Sequence, residues 1–429
     1  MKSIIKPVKG TRDYYPEVMA LRSWLYEAAK KVSNSFGYQE YEGPLIESIE
    51  LYAAKSGEEL VKEQSFVFED RGGNLIALRP ELTPTLARMV AQRQNQLIYP
   101  LRWWSFGPFW RYERPQKGRT REFFQWNIDL IGPDTSAADA ELVAIVAAFF
   151  KQVGLSPADA QIMVNNRQLM ETELIALGIA PGQLKEVFRL IDRKAKMERS
   201  KWEAYASELG LESRQIDDLK KLLSDDELWQ KSRALEEFFL AIDALQVSEY
   251  VRYAPYIIRG LDYYTGTVFE GLAVNGGLTR SILGGGRYDN LLEDVGGDKL
   301  PAVGFAMGDL VMSLVLEELG LIPEDIKSPS ASVLVTVFDE GSMQETLRLS
   351  DELRQTGLKV NCYPQADKLS KQLKFADRIG IKIAVILGPE EIKQDMVTFK
   401  ELSSGNQVSV DRALAADTIS ELLDGYIPS

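Results

Sequence analysis

The chain contains no histidine among its 429 residues. That absence excludes Ser-His-Asp and Cys-His nucleophile pairs and removes the commonest general base near neutral pH. A single cysteine, Cys362, excludes an internal disulfide and, without imidazoles beside it, leaves none of the usual ligands of a zinc site. No run approaches the about 18 apolar residues of a membrane helix, and the first residues lack the apolar stretch of a signal peptide. A soluble, cytoplasmic protein with no membrane partner is expected. Positive charge is in deficit: 50 Lys and Arg stand against 63 Asp and Glu, a net charge of −13. A surface this acidic repels nucleic acid on average, so DNA is not an expected partner and any RNA contact must come from local basic patches. Chemistry has to run on carboxylates, arginines, lysines, tyrosines or bound ions.

A chain this long should fold as two or three domains. Leu21 to Phe36 reads as an amphipathic helix leading into a strand-like segment from Tyr38 to Ile46, where Pro44 is tolerable only at an edge or bend. That pairing suits a dimer interface and equally suits packing within one subunit. Residues from about 165 to 250 carry charged helical patterns between strand-rich regions and read as a helical insertion. The stretch IPEDIKSPSAS, after Leu321, reads as a linker. Beyond it, helical and strand patterns alternate, starting from the apolar run Val333 to Phe338, which predicts a small α/β domain. The expected domains are therefore 1–325 and 331–429.

The most informative segment runs from Leu101 to Gly132. In FWRYE the alternation puts Phe109, Arg111 and Glu113 on one face. In REFFQWNIDLI, Arg121, Phe123, Gln125, Asn127 and Asp129 share one face, and Phe124, Trp126, Ile128 and Leu130 the other. The loop RPQKGRT between them brings the total to five cations against Glu113 within eleven residues. An ordinary solvated sheet face is the plain alternative. It rarely combines paired cations, an aromatic ring, an amide and a carboxylate in register, whereas a site for a polyphosphate, a flat base and an ammonium group requires each type.

This hairpin resembles the second signature motif of class II aminoacyl-tRNA synthetases, and RYERPQKGRTREFFQ is similar to histidyl-tRNA synthetases in particular. KGTRDYYP, LRPELTPTLAR, RGLDYYTGTVFE, GGGRYDNLL and AVGFAMG agree in order and spacing, and DKLSKQLKFADRIGI and LGPEEI extend the resemblance through the carboxyl domain. The resemblance implies an α+β catalytic domain on an antiparallel sheet followed by an α/β anticodon-binding domain, in a homodimer. It implies ligation of L-histidine to tRNA(His) with ATP, and Mg2+ carried on the ATP phosphates.

The site residues that the resemblance implies are Arg111 and Arg259 at the α-phosphate, Phe123 stacked on adenine, Glu113 accepting from its exocyclic amine, and Arg121 as a further ATP contact. Glu81, Thr83 and Gln125 are implied around the α-ammonium of histidine, Asp129, Tyr264 and Tyr288 around its imidazole, and Gln116 and Arg119 at the tRNA acceptor end. No general base is needed, because the attacking amino-acid carboxylate is already anionic, and fixed guanidinium groups stabilise the charge that builds on the phosphoryl oxygens. Tyr263 reads as core packing, and Gly284 to Gly286 as a segment that could merely permit a tight turn.

Two positions depart from the family pattern. Asp129 stands where glutamate is common, one methylene longer. The third motif usually ends in Gly-Leu-Glu-Arg, whereas here Gly308, Asp309, Leu310 and Val311 follow one another, so the arginine expected on the far side of the nucleotide is absent. A cation from elsewhere, weaker ATP binding or loss of ATP chemistry would each account for it. The alternative function is a catalytically weak or inactive paralogue that senses histidine as a regulatory subunit. Against it stand the carboxyl domain and the retained RPQKGR. A synthetase of the same subclass for another small amino acid also stays open through Asp129.

Overall fold

The computed structural model describes residues 4–53, 64–116, 118–194, 197–258, 263–274, 281–327 and 330–424. They divide into two compact units, Met1–Ile322 and Pro323–Ser429.

The first unit is built on an eight-stranded sheet in the order β1 (Gln39–Glu40), β5 (Leu101–Trp110), β6 (Glu122–Ile131), β11 (Ala302–Gly308), β10 (Ser281–Arg287), β9 (Thr267–Ala273), β7 (Ala160–Asn166), β8 (Val251–Tyr253). Its pairs are antiparallel except for the outer ones, β1 with β5 and β7 with β8. A smaller antiparallel sheet joins β2 (Ile46–Ser48), β4 (Leu75–Leu78) and β3 (Phe66–Glu69). The strand expected through Tyr38 to Ile46 is thus two short strands, and the chain leaves the large sheet before Pro44, which has no N–H to give a ladder.

Residues of β6 split by the period of two that a strand imposes. Trp126, Ile128 and Leu130 are buried in the main core. The helix Ser136–Gln152 covers that face: its sequence SAADAELVAIVAAFFKQ is apolar around most of its circumference, and its Phe149 ring lies 5.0 Å from Trp126. Thr135 caps it, its side chain accepting from the Ala138 N–H, a device of about 1 kcal/mol. Between β7 and β8 the chain runs through five helices of ten or more residues, from Arg167–Ala176 to Arg233–Ala244. Their inward residues, among them Phe188, Trp202 and Phe238, belong to the same core.

The second unit holds a five-stranded sheet, β13 (Val360–Cys362), β12 (Val333–Val335), β14 (Ile383–Ile386), β15 (Met396–Glu401) and β16 (Gln407–Asp411). β12 is parallel to both its neighbours. Its continuous apolar run follows from that position: Val333 and Val335 enter one core and Leu334 another, so both faces are covered.

Candidate active site

On the face of the large sheet opposite the main core, β6 presents Phe123, Gln125, Asn127 and Asp129 in file. Its neighbour β11 sets only small residues beside them: Gly308 opposite Gln125, Ala306 opposite Asn127 and Gly304 opposite Asp129. The next strand, β10, continues with Gly284 opposite Ala306 and Gly286 opposite Gly304. The result is a trough with one polar bank and a floor lacking side chains. A Cβ at Gly304 would overlap the Asp129 carboxylate, and one at Gly286 would come within 2.9 Å of the Tyr264 ring. The run Gly284 to Gly286 is therefore a mid-sheet strand, not a turn, and Gly285 and Gly286 are required there because side chains and backbone lie directly on them.

Two cavities open in this trough, of about 300 Å³ and about 180 Å³. Arg111 and Gln125 line both, so the two adjoin at a guanidinium and an amide.

The larger cavity brings together Arg111, Glu113, Arg119 and Phe123. Arg111 lies beyond the end of β5, yet its N–H still bonds to the Arg121 carbonyl at 2.8 Å and its Nε donates to the Pro80 carbonyl at 3.0 Å. Phe123 stacks on Phe109 with ring centroids 6.0 Å apart, and Arg79, fully buried, lies 4.6 Å over the Phe109 ring. Arg79 is itself fixed by the Glu42 carboxylate at 2.5 Å and the Pro108 carbonyl at 2.9 Å. Phe123 is thereby backed by a ring that a buried cation holds in turn, and the Arg111 guanidinium lies 5.3 Å over the Phe123 ring. Arg119 reaches Glu113 at 3.4 Å. A cation and a flat apolar surface in one cleft suit an anion joined to an aromatic base.

The far wall holds Asp309, Leu310 and Val311, at the start of the helix Asp309–Glu318. The Asp309 carboxylate is engaged on both sides, accepting from the Phe124 N–H at 3.0 Å and pairing with Arg12 at 3.3 Å. Burial pushes its carboxyl up, and the Arg12 charge opposes that rise.

The smaller cavity brings together Glu81, Thr83, Asp129, Tyr264 and Tyr288 with the shared Gln125. Asp129 is 4% exposed, and burial pushes its carboxyl up to about 7 although the Tyr288 hydroxyl donates to it at 2.5 Å. Burial also lifts Tyr288 and Tyr263 well above the usual phenol range, so both stay neutral O–H donors. Tyr263 packs against the core, as the sequence suggests, but it also lines the cavity and donates to Glu81 at 3.3 Å. Asn127 is a lining residue to which no role attaches in the sequence. The signal that could have found it is the alternation on β6 itself, since Asn127 falls between Gln125 and Asp129.

Arg121 belongs to neither cavity. It precedes β6, and its guanidinium turns back over the Tyr112 ring at 3.8 Å, with Nε donating to the Glu113 carbonyl at 3.2 Å. The Gly10 carbonyl accepts the Arg121 N–H, and a Cβ on Gly10 would strike the Arg121 side chain. The amino-terminal segment thus fixes where Arg121 goes, and it braces the basic loop. Gln116 also lies outside both cavities, in a tight turn with reciprocal backbone bonds to Arg119. Arg259 and Lys117 lie outside the described residues.

Comparison with known proteins accords with this geometry. Residues 10–309 match the family model for histidyl-tRNA synthetase, and residues 332–422 match that for an anticodon binding domain. The chain is 34% identical over 426 residues to the histidine–tRNA ligase of Leptospira biflexa, covering 97% of each protein. It is 37% identical to that of Haloarcula marismortui, covering 94% of this chain and 95% of the relative. The crystal structure of histidyl-tRNA synthetase from Nostoc sp. PCC 7120 superposes with a TM-score of 0.80 at 26% identity, over 98% of this chain and 100% of that one. With a family model spanning most of its length and relatives matched end to end, the chain belongs to the histidyl-tRNA synthetase family.

Proposed function

We infer that the protein ligates L-histidine to tRNA(His) with ATP, through a histidyl-adenylate. The observation that carries this reading is the pair of adjoining cavities that share Arg111 and Gln125: a cationic, aromatic cleft beside a smaller pocket of carboxylates and phenols. In the first step a histidine carboxylate oxygen attacks the α-phosphorus, the bond to the β-phosphate oxygen breaks, and diphosphate leaves. In the second, a ribose hydroxyl at the tRNA end attacks the adenylate carbonyl carbon, the bond to phosphate breaks, and AMP leaves.

Arg111 stands where the two cavities meet, which is where bond exchange must occur. A guanidinium held by the Pro80 carbonyl can stabilise developing phosphoryl charge without moving. Arg259 is assigned to the same phosphate. Phe123 takes the adenine face and Glu113 its exocyclic amine. Glu81, Thr83 and Gln125 receive the α-ammonium, and Asp129, Tyr264 and Tyr288 the imidazole. The two carboxylates on the larger cavity, Glu113 and Asp309, are engaged by arginines, which suits Mg2+ entering on the nucleotide's outer phosphates, where it would offset their charge. Gln116 and Arg119 are assigned to the acceptor end of tRNA, and the second unit to its anticodon. A homodimer is supported by exposed apolar residues on the small sheet, Ile46, Val67, Phe68 and Leu75. The protein is assigned to the cytoplasm, where its tRNA product is used.

Exchange of labelled diphosphate into ATP, run with each of the twenty amino acids, tests the reading. A response to histidine alone is expected. Silence with all twenty would favour a histidine-sensing paralogue, and a response to another amino acid would overturn the specificity.

A further inference from the structure

Beside Asp129, three polar side chains lie in one row across the sheet, each with a buried atom that has no hydrogen-bonding partner: Tyr41 Oη, Ser105 Oγ and Asn127 Nδ2. Ser105 on β5 and Asn127 on β6 are register partners. Tyr41 follows β1, and its N–H bonds to the carbonyl of Trp104, the residue before Ser105. The Tyr41 ring lies against Trp103, 5.4 Å between centroids, and Trp103 is opposite Asp129. All three side chains therefore share the Asp129 face, one row away from it. Asn127 lines the smaller cavity, and Ser105 is 1% exposed. On the other side of Asn127 stands Ala306, which has no polar atom to offer.

Buried polar atoms are paired in nearly all folded proteins, with ordered water where protein groups fall short. Opposed residues on adjacent strands have Cβ atoms about 5 Å apart, a gap that a hydroxyl and an amide leave open and one water closes. A buried water takes about three hydrogen bonds, the number of unpaired atoms in this row. Burial and the Asp129 charge keep the Tyr41 phenol protonated, so it can donate to that water.

We propose that Tyr41, Ser105 and Asn127 hold one ordered water beneath the amino-acid cavity and form a specificity-determining group there. They fix Asn127 as a neutral donor and acceptor one row from Asp129, so that the substrate's ring meets a carboxylate and an amide at a set spacing. The inference rests on the reading of this cavity as the histidine site.

Tyr41→Phe and Ser105→Ala each delete one hydroxyl and keep the shape of the side chain. Either should raise KM for histidine about tenfold in diphosphate exchange while KM for ATP stays within about twofold. Because both hydroxyls serve one water, the double variant should be little worse than either single one. Unchanged histidine KM in both variants, or equal rises in both KM values, would overturn the inference. If the variants fail to fold, a high-resolution crystal structure of the unaltered protein decides: solvent density bonded to all three atoms supports the group, and direct contact among them without solvent sinks it. An unaltered protein that is silent with histidine defeats the reading of the site, and with it this inference. An active one whose variants match it defeats this inference alone.

Discussion

Tyr288, just past the end of β10, donates its phenolic hydrogen to Asp129 on β6 across 2.5 Å, and β11 lies between those two strands in the sheet. The contact spans the floor made by Gly304 and Gly286, and it holds a carboxylate whose burial pushes it up to about 7. The anionic form is the one that accepts from an imidazole N–H. KM for histidine should therefore fall as pH rises from 6 to 8, with KM for ATP nearly flat. Tyr288→Phe removes the donor that favours the charged form, so the midpoint of that profile should move about one unit higher. A midpoint unchanged or lowered in Tyr288→Phe would contradict the role given to the contact.

The same carboxylate makes stability depend on pH in a defined direction. Its folded value, about 7, lies above the unfolded 3.8. Folding therefore favours the protonated acid, and its contribution is full below pH 4 and is lost as pH rises through 7. Asp129→Asn cannot ionise. In urea unfolding it should gain on the unaltered protein between about pH 4 and pH 7 and level off above that, while losing histidine-dependent exchange. A stability difference that is constant over this range would show that Asp129 is not buried as described.

Gly304→Ala tests the floor of the trough. The added Cβ overlaps the Asp129 carboxylate, which lines the smaller cavity, and comes within 2.8 Å of the Ile128 carbonyl oxygen; neither Gly304 nor Asp129 lines the larger cavity. Histidine KM should rise at least tenfold, with nucleotide binding, read by fluorescent ATP analogues, little changed. Comparable loss on both sides would mean that the sheet itself had been displaced.

Much of this site is legible in the sequence. The polar file on β6 is visible because a strand sorts its residues by a period of two, and Phe123, Gln125 and Asp129 fall on one face whatever the strand pairs with. Arg121 obeys the same count and still misses the cavity, because its direction is set by Gly10, a residue more than a hundred positions away. The glycines of β10 and β11 carried no visible meaning for a related reason. Their smallness matters only when Gly304 is known to lie opposite Asp129, a register between strands far apart in the chain. Tyr263 could not be told from a core tyrosine until Glu81 was seen beside it.

Arg259→Ala should slow histidine activation by about a hundredfold or more and leave tRNA affinity within about twofold, because a charge that acts on the α-phosphate does its work only as the transition state forms. Arg111→Lys should fail similarly. A lysine keeps the charge but cannot both hold the Pro80 carbonyl and present a planar fork. Diphosphate exchange and filter binding separate the two effects. Equal losses in activation and tRNA affinity would place these arginines in RNA docking instead.

The protein is acidic overall, at −13, yet its basic loop carries Arg114, Lys117, Arg119 and Arg121 within eight residues. Affinity for tRNA that rests on a few such cations releases few counterions, with a slope of about −0.7 in log K against log salt for each phosphate met in a single strand. Three or four such contacts should weaken binding by about 20- to 50-fold between 50 and 200 mM salt. Arg119 lines the larger cavity, and among the described residues its guanidinium pairs with Glu113 alone, in an exposed pair that leaves it able to reach RNA. Arg121 is committed to the Tyr112 ring. Arg119→Ala should therefore lower the slope by about one phosphate contact. Arg121→Ala should disturb the loop and lower affinity with a smaller change in slope. Identical slopes for the unaltered protein and Arg119→Ala would remove the loop from the RNA interface.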